Sequence, residues 1–179
     1  MVTTQDDRTA AFIRKIIHHG SSEKYRHDVL GYNYRMTDLA AAIGIEQLKK
    51  VTSFNKKRRE NAQFLNENLR TLSGIILPEV SEGHIFHQYT IRITPHFVMT
   101  RDEVQNHLCQ RGIASAIHYP IPIHKQKSYS EYNNQSLPIA EKLAREVLSL
   151  PVHPALTRKD LNKIIQAFCE MCLTRRVSE

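Results

Sequence analysis

No run in this chain of 179 residues approaches the ~18 consecutive apolar residues of a membrane-spanning helix, so no membrane is expected as a partner. The opening MVTTQDDRTAAFIRK has no apolar signal-peptide core. Export is therefore not expected, and the cytoplasm is the expected location. Nucleotide and protease signatures are missing too: there is no GxGxxG, no GxxxxGK(S/T) and no HExxH. Cysteine is scarce. Cys109, Cys169 and Cys172 make no ligand or disulfide framework, and all three read as buried thiols of a reducing compartment. The ten histidines show no ligand spacing, so no metal site is expected.

What is present is an ordinary globular composition with 41% hydrophobic and 24% charged residues, which excludes wholesale disorder. The length suits one domain, with or without an appendage. The net charge of +7 invites a nucleic-acid reading. The densest basic group is Lys49, Lys50, Lys56, Lys57, Arg58 and Arg59, and only Phe54 stands among them. The favoured reading is a solvated helix face, and the alternatives are a site for an anionic small molecule or a groove for nucleic acid; without interleaved aromatics a stacking platform is not expected, nor is a specific nucleic-acid partner.

Periodicity supplies the elements. Asp6 to His19 reads as a helix with Phe12, Ile13, Ile16 and Ile17 on one stripe, stopped by Gly20. Residues 1–4 read as the end of a strand, and residues 21–35 as a loop. Thr37 is the N-cap of a long helical stretch, with Ala62, Leu65, Leu69 and Leu72 on one face, ended by Gly74 and Pro78. This is one helix or two nearly collinear ones. His84 to Ile93 alternates as a strand, with Ile85, Tyr89, Ile91 and Ile93 opposite Phe86. Thr100 and Glu103 form a capping box for a helix carrying Val104 and Leu108. Ile113 to Tyr119 reads as a second strand, and residues 120–136 as a long, proline-stiffened loop. Pro138 opens a helix with Leu143, Ala144, Val147 and Leu148, and LSLPVHP is a short strand ended by Pro154. Thr157 and Asp160 cap a last helix with Leu161, Ile164, Ile165, Phe168 and Cys172 on one face. Two or three antiparallel strands with helices on one side would bury these stripes, an α+β arrangement.

Two stretches could carry chemistry. In Gly31-Tyr32-Asn33-Tyr34-Arg35-Met36-Thr37-Asp38, a carboxamide and a guanidinium stand just before a helix N-terminus, as a phosphate monoester requires. The same residues suit an ordinary capped turn, and both readings stay open. His118-Tyr119-Pro120 ends a strand and enters a rigid loop; it suits a ligand contact or a structural turn.

LGYNYRMTDLAAAIGIEQLKK, KKRRENAQFLNENL, AIHYPIPIHKQ and LPIAEKLAREVLSLPVHPALT, in that order, resemble the C-terminal half of the DegT/DnrJ/StrS group of pyridoxal-phosphate-dependent sugar aminotransferases. The resemblance implies part of a fold-type I transferase, with the large cofactor domain mostly missing. It divides the chain into residues 1–36 as a remnant of that domain, 37–74 as a long connecting helix, and 75–179 as a small α+β domain. It implies pyridoxal phosphate as cofactor and a nucleotide-linked keto sugar as substrate. It also implies a homodimer, or pairing with an N-terminal half or a full-length aminotransferase. Asn33 and Arg35 match the motif that reaches the cofactor phosphate across the subunit interface. His118 and Tyr119 match the pair that lines the sugar-nucleotide site. The family's Schiff-base lysine lies upstream of the strand on which Met1 begins, so this chain is expected to lack it, to hold no catalytic residue of its own, and to be inactive alone. A non-enzymatic ligand-binding or regulatory role is the alternative.

Overall fold

The computed structural model describes residues 2–176, which form two compact units divided between Lys50 and Val51. The first contains helix α1 (Asp7–Ile16), strands β1 (Ser21–Glu23) and β2 (Arg26–His27), and helix α2 (Asp38–Leu48). The second contains helix α3 (Val51–Leu69), strands β3 (Ile75–Ile76) and β4 (Tyr89–Ile93), helix α4 (Arg101–Gln110), helix α5 (Pro138–Glu146), strand β5 (Val147–Leu150) and helix α6 (Arg158–Arg176).

In the first unit, Asp6 caps α1 by accepting from the Thr9 N–H at 2.7 Å. Val2 to Thr4 form no strand, and Met1 lies outside the described residues. A strand needs a partner for its N–H and C=O groups. Here the Thr4 hydroxyl instead accepts from the Asp6 N–H, which leads into the cap. The expected loop after α1 contains a small hairpin, with β1 antiparallel to β2. Gly20 has φ +72°, and a Cβ there would stand 1.7 Å from the Val29 carbonyl oxygen. A Cβ on Gly31 would stand 1.9 Å from the Gly20 nitrogen. The two glycines therefore permit a backbone crossing that no other residue fits.

The expected connecting helix over 37–74 is divided at Lys49 and Lys50. There the Lys50 N–H reaches only three residues back, to the Gln47 carbonyl at 3.0 Å, tightening the last turn of α2 before β-branched Val51 and Thr52 begin α3. The stable unit also starts earlier than residue 75. Ala62, Leu65 and Leu69 of α3 are fully buried in the core of the second unit.

That core lies on one face of a three-stranded antiparallel sheet ordered β3-β4-β5. Tyr89, Ile91 and Ile93 of β4 and Leu148 and Leu150 of β5 join α3, α4 and α6 through Leu65, Leu108, Ile164 and Phe168. The strand expected from His84 begins only at Tyr89. Ile85 is 43% exposed, whereas the Phe86 ring is buried at a backbone φ of +48°, which turns the chain out of the alternation. Ile113 to Tyr119 is no full strand. It touches the sheet through one bridge, Ala116 to Ser149, with N–H···O distances of 3.1 and 2.8 Å. Val147 and Leu148, expected on a helix, belong to β5, and Pro151 rather than Pro154 ends that strand. A proline there can donate nothing to the ladder.

The caps stand as read. Thr37 accepts from Ala40, Thr100 and Glu103 exchange both capping-box bonds, and Asp160 accepts from the Thr157 N–H at 2.8 Å. The thiols do not. Cys109 and Cys169 are exposed and Cys172 is half-buried. The buried stripe of α6 passes through Ile164, Phe168 and Met171, so Cys169, a hundred degrees of helix beyond Phe168, faces water.

On the sheet face away from this core, Arg92 donates from Nε and Nη2 to Oε2 of the buried Glu146 at 3.0 and 2.7 Å. The pair ties β4 to the α5–β5 junction. Glu146→Ala leaves the Arg92 guanidinium without its carboxylate and is expected to cost about 3 kcal/mol. Urea denaturation of the whole chain measures this, and an unchanged midpoint would show that the pair adds nothing.

Candidate functional site

Unit one presents a small donor cluster. The segment after Gly31 is strapped to the end of α1 by backbone bonds from Tyr32 N–H to Ile16 O (2.7 Å), His19 N–H to Tyr32 O (2.9 Å) and Tyr34 N–H to Ile17 O (3.1 Å). Tyr32 and Tyr34 stack at 5.1 Å, both exposed, with Asn33 between them in sequence. Arg35 Nε donates to Asn33 Oδ1 at 3.3 Å, and its Nη1 lies 3.5 Å from His18 Nε2. The sequence reading aimed Asn33 and Arg35 at the N-terminus of the following helix. Instead Arg35 turns back toward α1, and Thr37 caps the helix by itself.

This cluster suits the phosphate of a cofactor. The Asn33 oxygen is taken by the guanidinium, which leaves its NH2 as a donor beside the remaining guanidinium N–H groups. Both side chains are exposed, as contact with a group held elsewhere requires. Asn33 and Arg35 therefore fit a phosphate.

In unit two, His118 and Tyr119 stand together. Their rings meet edge-on at 5.6 Å across a cis peptide bond. His118 Nδ1 lies 3.3 Å from Ser149 Oγ, and Ser149 Oγ lies 2.9 Å from Thr90 Oγ1. The sheet thus orients the imidazole through two hydroxyls and leaves Nε2 for a ligand. Tyr119 is 74% exposed.

A mainly apolar cavity of about 860 Å³ opens beside the pair, walled by Tyr119, Ile123, His124, Tyr129, Leu137 and Leu143. One edge is residues 120–136, which form two 3₁₀ turns, Ile123–Lys125 and Lys127–Tyr132. The loop is closed on itself by Lys125 Nζ, which donates to the Asn133 carbonyl at 2.6 Å. It is pinned to α5 by the buried His124, whose Nε2 donates to Glu141 Oε1 at 3.1 Å. That hydrogen bond, with a second from the Leu137 N–H, holds the Glu141 carboxyl below the usual carboxylate range. A second, smaller cleft shares His118 as a wall, and Arg58, His87 and His153 also line it.

Ser149, Thr90, His124 and Glu141 were not picked out from the sequence as site residues, and Arg58 stood out only as one of the basic run. Ser149 carried a signal, as a hydroxyl alternating with leucines in LSL. The others are set by packing alone. Among the described residues, no group of three His, Cys, Asp or Glu could hold a metal ion, and no helix is long and apolar enough to cross a membrane.

Comparisons with known proteins agree on one family. The model of the DegT/DnrJ/EryC1/StrS aminotransferase family matches residues 1–169. A UDP-N-acetyl-3-dehydro-alpha-D-glucosamine 3-aminotransferase of Acidithiobacillus ferrooxidans is 40% identical over 166 residues, covering 92% of this chain and 43% of that protein. The crystal structure of S. venezuelae DesV, solved in complex with a ketimine intermediate, superposes with a TM-score of 0.85 at 35% identity, covering 94% of this chain and 45% of that one. The structure of ntda from Bacillus subtilis, solved with bound cofactor PMP, gives a TM-score of 0.85 at 27% identity over 94% of this chain and 40% of that one. This chain thus spans less than half the length of the curated relatives it matches. Its mixed helix-and-sheet fold matches about 45% of the length of solved pyridoxal-phosphate aminotransferases. By family match, identity and superposition, the chain belongs to the DegT/DnrJ/EryC1/StrS aminotransferase family.

Proposed function

We propose that this chain is the C-terminal part of a cytoplasmic aminotransferase that places an amine on the keto group of a nucleotide-linked sugar, and that it does not transaminate alone. The observation that carries this reading is the cavity beside His118 and Tyr119, in a chain 40% identical to a UDP-sugar aminotransferase. Bound pyridoxal phosphate supplies the electron sink for such a transfer. Asn33 and Arg35 hold its phosphate, through the carboxamide NH2 and the guanidinium. His118, aimed by Ser149, offers Nε2 to the sugar, and Tyr119 offers its hydroxyl. The wall formed by Ile123, Tyr129 and Leu143 offers the ligand an apolar surface. Loading the cofactor needs a positioned lysine and a carboxylate for the pyridine nitrogen. The resemblance implies that both come from residues outside this chain.

The first unit also supports a protein partner. Helix α2 is apolar on most sides, and Leu39 (73%), Ile43 (56%), Ile45 (58%) and Leu48 (66%) are exposed. A helix apolar all round is normally covered. A homodimer, or pairing with the missing half of the enzyme, would cover it.

Incubated with pyridoxal phosphate and borohydride, the purified chain is expected to give no stoichiometric lysine adduct and no turnover; a robust adduct with turnover would overturn the inactivity. Sedimentation at rising concentration is expected to show association that Leu39→Glu with Leu48→Glu abolishes, and a wild-type chain that stays monomeric throughout would remove the partner reading. The Glu141 pin has a defined pH window. Because its folded pKa is depressed, its stabilisation is complete above the ordinary carboxylate value of about 4.3 and is lost as pH falls through the lower folded value. The gap in melting midpoint between wild type and Glu141→Gln is therefore expected to be widest at neutral pH and to close in acid. A gap independent of pH would mean that the carboxylate charge plays no part.

A further inference from the structure

We infer that the cleft on the other side of His118 from the apolar cavity is a binding site for a small oxyanion, a carboxylate or phosphate group. Its volume is about 350 Å³, enough for a small acid and too little for a nucleotide. Arg58, His87, His118, His153, Ser115 and Ser149 line it, and no aspartate or glutamate does among the described residues. One fixed cation and three imidazoles thus face one space with no acceptor charge opposite them. Asp160 is the nearby carboxylate that feels His153. Thr157, through its hydroxyl and N–H, and His153 more weakly, hold that carboxyl below its ordinary range, and it lies outside the lining.

The donors are arranged for a ligand rather than for the protein itself. Arg58 is half-buried, and its two hydrogen bonds, to the Phe86 and His87 carbonyls at 3.5 and 3.4 Å, both leave from Nη1. They hold the guanidinium still and leave the N–H groups of Nε and Nη2 for an acceptor, the fork geometry that a carboxylate or phosphate matches. His118 borders the cleft too, its ring steered by the contact of Nδ1 with Ser149, while its Nε2 is the atom assigned to the sugar. An independent observation points the same way. Ser115 lines the cleft, and its Oγ is shut from solvent with no hydrogen-bond partner. A buried hydroxyl left so is costly, and a turn about its χ1 toward the cleft would give it a bound oxyanion as acceptor.

The inference stands apart from the sugar-nucleotide reading, because Arg58, His87, Ser115 and His153 line this cleft and not the apolar cavity, with His118 alone of the sugar-reading pair bordering both. The test is an NMR titration of the imidazole signals of the full chain at constant ionic strength, once with inorganic phosphate and once with glutarate. Saturable shifts of His87, His118 and His153 together are expected with at least one of them. Phosphate alone would name a phosphate site, glutarate alone a carboxylate site, and both a general oxyanion site. Arg58→Gln is expected to weaken binding about tenfold or more. Ser115→Ala, which leaves the Arg58 contacts to the fold intact, is expected to weaken it about threefold. Tyr119→Ala is expected to leave it unchanged while weakening nucleotide-sugar binding, which separates the two sites. The proposal fails if neither anion gives a saturable shift at these three histidines, if His84 and His96 shift equally, or if both Arg58→Gln and Ser115→Ala bind as wild type does.

Discussion

The pairing of β4 with β5 is the constraint on which the second unit depends. Tyr89 stands opposite Leu150, Thr90 opposite Ser149, Ile91 opposite Leu148 and Arg92 opposite Val147. Side chains alternate between the two faces of a sheet, so this one register assigns every residue its task. Tyr89, Ile91, Leu148 and Leu150 go to the core beneath α3 and α6. Thr90 and Ser149 go to the other face, where their hydroxyls meet at 2.9 Å and reach His118. Arg92 goes to Glu146. A slip of one residue would bury the hydroxyls and expose Tyr89 and Ile91. Core and candidate site are thus two faces of one ladder.

The same ladder explains why His118 lies between two unlike spaces. The bridge from Ala116 to Ser149 brings the incoming chain alongside β5 and stops there. Beyond it, the chain turns into the loop that His124 and Glu141 fasten to α5, which raises the apolar wall on one side. On the other side, α3 and the turn at Phe86 bring up Arg58 and His87. One imidazole therefore faces an apolar cavity suited to a large ligand and a cationic cleft suited to a small one.

The first unit is built differently. None of α1 or α2 is buried, and its order rests on backbone bonds, the close approach of Gly20 and Gly31, and exposed ion pairs such as Lys15–Asp28. Exposed pairs stabilise little. A segment so weakly anchored, with an apolar helix left uncovered, fits a surface completed by more protein. The resemblance read from the sequence leads to the same expectation.

Much was legible from the sequence because it depends on local chemistry. The caps at Thr37, Thr100 and Thr157 need only a hydroxyl or a carboxylate one turn from an N–H, and the stripes of α3, α4 and α6 need only helical spacing. The GYNYRM and HYP stretches stood out with a ligand reading and a structural reading both open, and the order of the matching blocks carried the family resemblance. Tertiary structure decided the rest. The helix break at Lys49–Lys50 and the membership of α3 in the stable core depend on which neighbours cover each face. Short alternating runs such as His84–Gln88 and Ile113–Tyr119 become strands only if another strand accepts their backbone bonds, and apart from one bridge none does. Cys169 faces water because the buried stripe of α6 is narrower than its apolar composition suggests. The two spaces around His118 are gathered from α3, the Phe86 turn, β5 and α5, which lie far apart in the chain, and no linear spacing records that meeting.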